Sequence, residues 1–163
     1  MRYLTGSEAE IAEKFINTAA GEAKKSNCLR SQCGAVIVND GKIIGKGFNS
    51  PPGNKKPERC IKEDLPEDFV SDRTCCIHAE DRAVRDALVK NPAKVMGSRL
   101  YFIRLKNGEI VKAGKPYCTM CSKMALDAGL AEFVLWHEEG ICMYGTEEYN
   151  DLSFKYRKEL DSK

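Results

Sequence analysis

Histidine is almost absent from this chain: two occur in 163 residues, alongside a single tryptophan. Each histidine therefore carries weight. No stretch approaches the roughly 18 consecutive apolar residues of a membrane span, and the opening MRYLTGSEAE turns polar and acidic where a secretory signal needs an apolar run. Both absences predict a soluble cytoplasmic protein without membrane association. A surplus of one charge is also missing, with 26 Lys and Arg against 24 Asp and Glu. A dedicated nucleic-acid binder is strongly basic, so the pairs Lys24-Lys25 and Lys55-Lys56 read as solvated surface. There is no low-complexity tract and no repeat of solenoid length. What remains, 42% apolar and 31% charged residues in a length suited to one core, predicts a single domain over 1–163.

The elements alternate. Ser7 with Glu10 reads as a capping box, followed by Ile11, Phe15, Ala19 and Ala23 at helical spacing to about Ser26. CGAVIVNDGKIIGKGFN places Asp-Gly between two apolar runs, the signature of a β-hairpin. Four of the six prolines lie between residues 50 and 71, with many charges, which predicts a long surface loop. A helix then runs from His78 to Leu88, with Ala79, Ala83, Val84 and Ala87 on one face and Asn91-Pro92 as its stop. RLYFIRL is a strand, Asn107-Gly108 turns a small hairpin insertion over about 105–115, and a helix from Cys118 to Ala128 is ended by Gly129. AEFVLW is a further strand, and Tyr149, Leu152, Tyr156 and Leu160 space a terminal helix. Strand, helix, strand, helix, strand is the alternation of an α/β layer structure with parallel crossovers.

Chemistry concentrates at two helix starts. The chain holds eight cysteines, and without a secretory signal clustered thiols point to metal or catalysis rather than to a disulfide framework. Cys118 and Cys121 are three apart on one helix face, where the positive end of the helix favours thiolate. His78 can supply a third, neutral ligand. One His and two Cys leave the fourth tetrahedral position of Zn²⁺ open for water, whose pKa zinc lowers to roughly 7. Glu80, two residues beyond His78, is near enough to take a proton from that water without binding the metal. Alone, His-Ala-Glu is a weak motif, and CxxC equally suits a redox pair or half of a structural zinc site.

Together, His78-Ala79-Glu80 and Pro116-Tyr117-Cys118-Thr119-Met120-Cys121 resemble the signature of the zinc-dependent cytidine and deoxycytidylate deaminases. The hairpin GAVIVNDGKIIGKGFN is similar to that family's first two strands, and Cys28-Leu29-Arg30 and NSPPGN are similar to its bacterial deoxycytidylate branch. The resemblance implies a cytidine deaminase-like three-layer α/β/α fold with a mixed, roughly five-stranded sheet, and a homo-oligomer. It implies zinc held by His78, Cys118 and Cys121, and conversion of dCMP to dUMP with release of ammonia. Glu80 then shuttles the proton, and Asn49, Ala79, Arg30 and Tyr117 face the substrate. Some relatives hold a second, structural zinc, for which Cys28, Cys60 and Cys75 are the candidates here; buried reduced thiols are the competing explanation. Three departures stand out: Tyr117 separates Pro116 from Cys118, Arg82 occupies a position where the family commonly has Asn, and the hairpin KNGEIVKAG is extra. They bear on the substrate more than on the chemistry.

Two alternatives stay open at this point. A deaminase acting on cytosine or adenine within RNA or single-stranded DNA would need a groove for the flanking strand, which the near-neutral charge disfavours. A non-catalytic zinc module would close its site with a fourth ligand, such as His137 or a loop cysteine, and would have no use for Glu80.

Overall fold

The computed structural model describes residues 1–60, 76–112 and 115–156. The strands are β1 (Arg2–Tyr3), β2 (Gln32–Asn39), β3 (Lys42–Phe48), β4 (Arg99–Lys106), β5 (Glu109–Val111), β6 (Glu132–His137) and β7 (Gly140–Gly145). The helices are α1 (Gly6–Ala23), α2 (Ala79–Lys90), α3 (Thr119–Asp127) and α4 (Thr146–Lys155). All seven strands join one sheet in the order β1-β7-β6-β4-β2-β3, with β5 added on β4. β4 and β6 pair in parallel, and every other pairing is antiparallel. Because β3 and β4 both run against β2, α2 connects two strands of like direction, as α3 does between β4 and β6. These are the two expected crossovers, the first stepping over β2.

Side chains alternate between two cores. Val36, Tyr101, Ile103, Val134 and Met143 pack against α1 on one face. On the other, Ala35, Ile37, Leu100, Phe102, Phe133 and Tyr144 join residues of α2 and α3 and Tyr149 of α4. The stacked rings of Phe133 and Tyr149, 4.1 Å between centroids, fasten α4 to the sheet. The result is the expected three-layer α/β/α arrangement with a mixed sheet. The Asp40-Gly41 turn has both residues at positive φ, 47° and 69°, the requirement of the tight hairpin turn read from the sequence.

Four expectations need correction. The sheet has seven strands rather than five, because GICMYG, with a glycine at each end, lacks the polar alternation of a strand, and β1 is only two residues long. The Ser7–Glu10 capping box does not form: Thr5 is the N-cap, without a side-chain cap bond, and Ser7 lies inside the helix. The buried stripe of α1 is Ala12, Ile16, Ala19, Ala20 and Ala23, while Ile11 is 50% exposed. The helix lies so close to β2 that small residues must face it. Tyr156 follows the end of α4 and is 45% exposed rather than packed on the sheet. Leu160, Cys75 and the part of the long loop beyond residue 60 lie outside the described residues.

The contact of α2 with β3 is tight. A Cβ at Gly47 would lie 2.2 Å from the carbonyl oxygen of Ala79, and one at Gly45 would lie 2.4 Å from that of Ala83. No side chain fits there. Gly47→Ala is expected to push α2 off the sheet and to cost at least ~2 kcal/mol, as overpacking against backbone does. Denaturant unfolding of the variant measures this, and unchanged stability would show that the helix can move away freely.

Candidate metal and catalytic site

The tight contact of α2 with β3 sets where that helix begins. His78 is its N-cap, in extended conformation. The residue before it, Ile77, is held by a two-way backbone bridge to Ser50, with N···O distances of 3.0 and 3.3 Å. Cys118 is the N-cap of α3, and its sulfur accepts the backbone N–H of Cys121 at 3.4 Å. Both metal-binding segments therefore end at helix N-termini, where unpaired N–H groups and the positive dipole end favour negative charge.

These elements bring three donor atoms to one point. His78 Nδ1 lies 3.2 Å from Cys121 Sγ and 3.3 Å from Cys118 Sγ, and the two sulfurs are 3.1 Å apart. A tetrahedral zinc at its usual bond lengths sets such atoms about 3.5–3.8 Å apart, so seating the ion requires shifts of less than ~1 Å. Imidazole with two thiols is also the donor chemistry that zinc prefers. The cluster is therefore capable of coordinating zinc. The Cys118 thiol is pushed down to about 4 by the hydrogen bond from Cys121, with His78 adding to the effect against burial. Cys121 is driven the opposite way, because the pair shares one proton until a cation arrives. Among the described residues no fourth ligand joins the group. His137 Nε2 instead meets the Tyr144 hydroxyl at 2.8 Å.

Glu80 lies in the first turn of α2 and is 6% exposed. Burial pushes its carboxyl up, opposed by the nearby charge of His78. It borders a cavity of about 20 Å³, room for roughly one water, whose walls include Phe102, Arg104, Lys115, Tyr117 and Tyr149. Tyr117 is 45% exposed at the edge, its hydroxyl accepting from Arg104 at 3.1 Å and its ring 5.8 Å from that of Tyr156. The inserted residue beside the first cysteine thus forms pocket wall. Trp136 packs with the α1-side core, its ring 3.6 Å from the Lys112 ammonium, on the face of the sheet opposite to the site.

The other expected residues sort by position. Ala79 is fully buried against β3, and Arg30 is exposed. Asn49 is buried, and its side chain holds the α1–β2 connection. Its Oδ1 accepts from Ser26 Oγ and from Cys33 N, each at 2.7 Å, and its Nδ2 donates to Ser31 O at 2.9 Å. The same amide also reaches the Cys28 thiol. The side chains of Cys28 and Cys76 are hydrogen-bonded, and Cys60 is buried. Arg82 donates to Asn54 Oδ1 at 2.7 Å and to the carbonyls of Ser50 and Pro51 at 3.3 and 3.1 Å, tying the turn after β3 to α2. The sequence marked Arg82 only as a departure. The site residues it missed are Arg104 and Lys115, for which no local pattern exists.

Residues 9–137 match the model of the family described as the cytidine and deoxycytidylate deaminase zinc-binding region. The deoxycytidylate deaminase of Mycobacterium phage D29 is 30% identical over 136 residues, 78% of this chain and 95% of that protein. The crystal structure of the dCMP deaminase of cyanophage S-TIM5 with dCMP and dUMP superposes with a TM-score of 0.55 at 27% identity, covering 78% of this chain and 82% of that one. The cytidine deaminase of Burkholderia pseudomallei, 17% identical, shares the fold with a TM-score of 0.56 over 84% of this chain and 94% of that one.

Removing the Asn49 amide strands the buried Cys33 N–H and takes the donor from the Ser31 carbonyl, while the Ser26 hydroxyl keeps the backbone carbonyl of residue 49 as acceptor. Asn49→Ala is expected to cost about 3 kcal/mol, since each unsatisfied buried group costs roughly 1–3 kcal/mol. Urea unfolding gives the value, and a loss below ~0.5 kcal/mol would mean that water already satisfies these groups.

Proposed function

The chain belongs to the cytidine and deoxycytidylate deaminase zinc-binding family, and from that footing we propose that it converts dCMP to dUMP, with His78, Cys118 and Cys121 holding zinc and Glu80 moving the proton. Its chemistry is the zinc-dependent hydrolytic deamination of a cytosine nucleotide. The observation that carries the assignment is the three-donor cluster with Glu80 buried beside it and no fourth described ligand. A closed structural site has neither an open position nor a proton shuttle.

Bound zinc supplies a Lewis acid that makes water nucleophilic near neutral pH. Glu80 takes the proton that this water gives up and passes it to the ring nitrogen beside the amino-bearing carbon. It then takes the remaining proton of the added hydroxyl and delivers it to the amino group, which leaves as ammonia as the carbonyl forms, so cytosine and water become uracil and ammonia. A raised carboxyl suits this work, because an acid–base group acts best with a pKa near the working pH. The backbone N–H of Ala79, in the first turn of α2, and the Asn49 amide, on exchanging one of its present partners, are donors for the nucleoside. Tyr117 walls the base, and Arg30, exposed within the α1–β2 connection, meets the approaching nucleotide.

The assembly and compartment follow the same reading. The chain acts as one domain in a homo-oligomer, supported by Leu88, Val89 and Met96, which stand exposed at the end of α2 and in the turn after it. It works in the cytoplasm, a compartment that suits Cys28, Cys33, Cys118, Cys121 and Cys142 as reduced thiols. The cysteines Cys28, Cys60 and Cys75 are proposed to hold a second zinc; Cys75 lies outside the described residues, and Cys28 meets the thiol of its neighbour Cys76.

Purified zinc-loaded protein is expected to release ammonia from dCMP and form dUMP. Glu80→Gln keeps the zinc and loses turnover by at least ~10²-fold, the usual contribution of a positioned acid–base group. Near-normal turnover of that variant would remove Glu80 from the mechanism, and absence of turnover in zinc-loaded wild-type protein would remove dCMP. Metal analysis of the same preparation is expected to give close to two zinc ions per chain, and a ratio near one would leave only the catalytic ion.

A further inference from the structure

Arg104 stands at a telling place in the sheet. It pairs in register with Cys33 on β2, and the carbonyl of Cys33 accepts the backbone N–H of Asn49 just beyond β3 at 3.1 Å. Asn49, Cys33 and Arg104 thus form a row across three adjacent strands. By strand alternation the Arg104 side chain shares the face of Leu100 and Phe102, which is the α2 face and the face of Glu80.

Among the described residues the guanidinium has no ion-pair partner, although the Glu80 carboxyl acts on it across the cavity. Its partners are neutral: the Tyr117 hydroxyl at 3.1 Å and the Cys33 thiol. Its Nε is buried with no hydrogen-bond partner, and among the described residues no carboxylate lies within ion-pair distance. Arg99, five residues earlier on the same strand, has Glu132 at 2.6 Å. A guanidinium is always charged, and leaving such a group partly buried with donors unspent is costly. Arg104 lines the same cavity as Glu80, and Lys115, exposed, adds a second positive charge to its wall.

We infer that Arg104, assisted by Lys115, is the specificity-determining element that recognises the phosphate of the substrate and so selects a nucleotide over the bare nucleoside. The inference deepens the dCMP assignment and rests on it. The reacting end of the substrate meets Glu80, and its dianionic end needs a cation along the same cavity. The planar fork of arginine offers parallel N–H donors that match phosphate oxygens, and the flexible lysine ammonium supplies attraction at the edge.

The test compares wild type, Arg104→Gln, Arg104→Lys and Lys115→Gln. For each, kcat and KM are measured with dCMP and with deoxycytidine, and the thermal midpoint is followed with and without inorganic phosphate. In Arg104→Gln, kcat/KM for dCMP is expected to fall at least ~10-fold further than that for deoxycytidine, mainly through KM, as the loss of one charge-assisted contact predicts. Arg104→Lys recovers part of the loss, and Lys115→Gln shows a smaller one, again for dCMP alone. Inorganic phosphate raises the midpoint of wild type and not that of Arg104→Gln. Equal losses for the two substrates would make Arg104 a structural or base-contacting residue and overturn the inference, as would an unchanged ratio in all three variants. If Arg104→Gln does not fold, the exposed Lys115→Gln and the charge-keeping Arg104→Lys still decide through the same ratio. If wild type turns over neither compound, the dCMP assignment fails by itself, and the phosphate-dependent midpoint still upholds or overturns the anion site.

Discussion

The close seating of α2 on β3 is the constraint on which the site depends. Two glycines, Gly45 and Gly47, leave the space that the carbonyls of Ala83 and Ala79 occupy, and the alanines of the helix face match them. Seated there, the helix presents its first turn at one level of the sheet, so His78 and Glu80 have a fixed height relative to β4 and α3. A helix one side chain further out would move the imidazole by more than the tolerance of a zinc bond. Packing of small residues thus becomes coordination geometry.

A second layer of polar contacts holds the loops to that frame. Asn49 gathers Ser26, Ser31 and Cys33 around one buried amide, and Arg82 ties Ser50, Pro51 and Asn54 to α2. Ser50 in turn bridges Ile77, next to His78. The turn after β3 is therefore coupled both to the α1–β2 connection and to the metal-binding helix. Arg82 has the reach to span three acceptors.

The electrostatics of the pocket are uneven in a way that suits its chemistry. A carboxyl raised by burial and a thiol pair sharing one proton await a dication, while Arg104 has a buried Nε without a hydrogen-bond partner and no carboxylate at ion-pair distance among the described residues. Each group is poorly satisfied by the protein alone. Zinc and an anionic nucleotide together complete them.

Much of this was legible in the chain itself, because it rests on local patterns. The Asp40-Gly41 turn, the stop of α2 at Asn91-Pro92, the glycine after α3 and the spacing of Cys118 and Cys121 are short-range signals whose physics acts within a few residues. The pairing of His-Ala-Glu with CxxC singled out three side chains that the fold gathers at one point and a glutamate buried near them. Other features depend on contacts between segments far apart in sequence. The alanine stripe of α1 was displaced from Ile11 because β2 comes closer than a helical period reveals, and β7 went unseen because it is a strand only beside β6. Arg104 is one charged residue in an apolar strand until the register with Cys33 places it beside Glu80. Composition and spacing determined which chemistry the chain carries, and tertiary packing decided where the charges meet, since distance between side chains is set by the seating of whole elements and by no residue's neighbours in sequence.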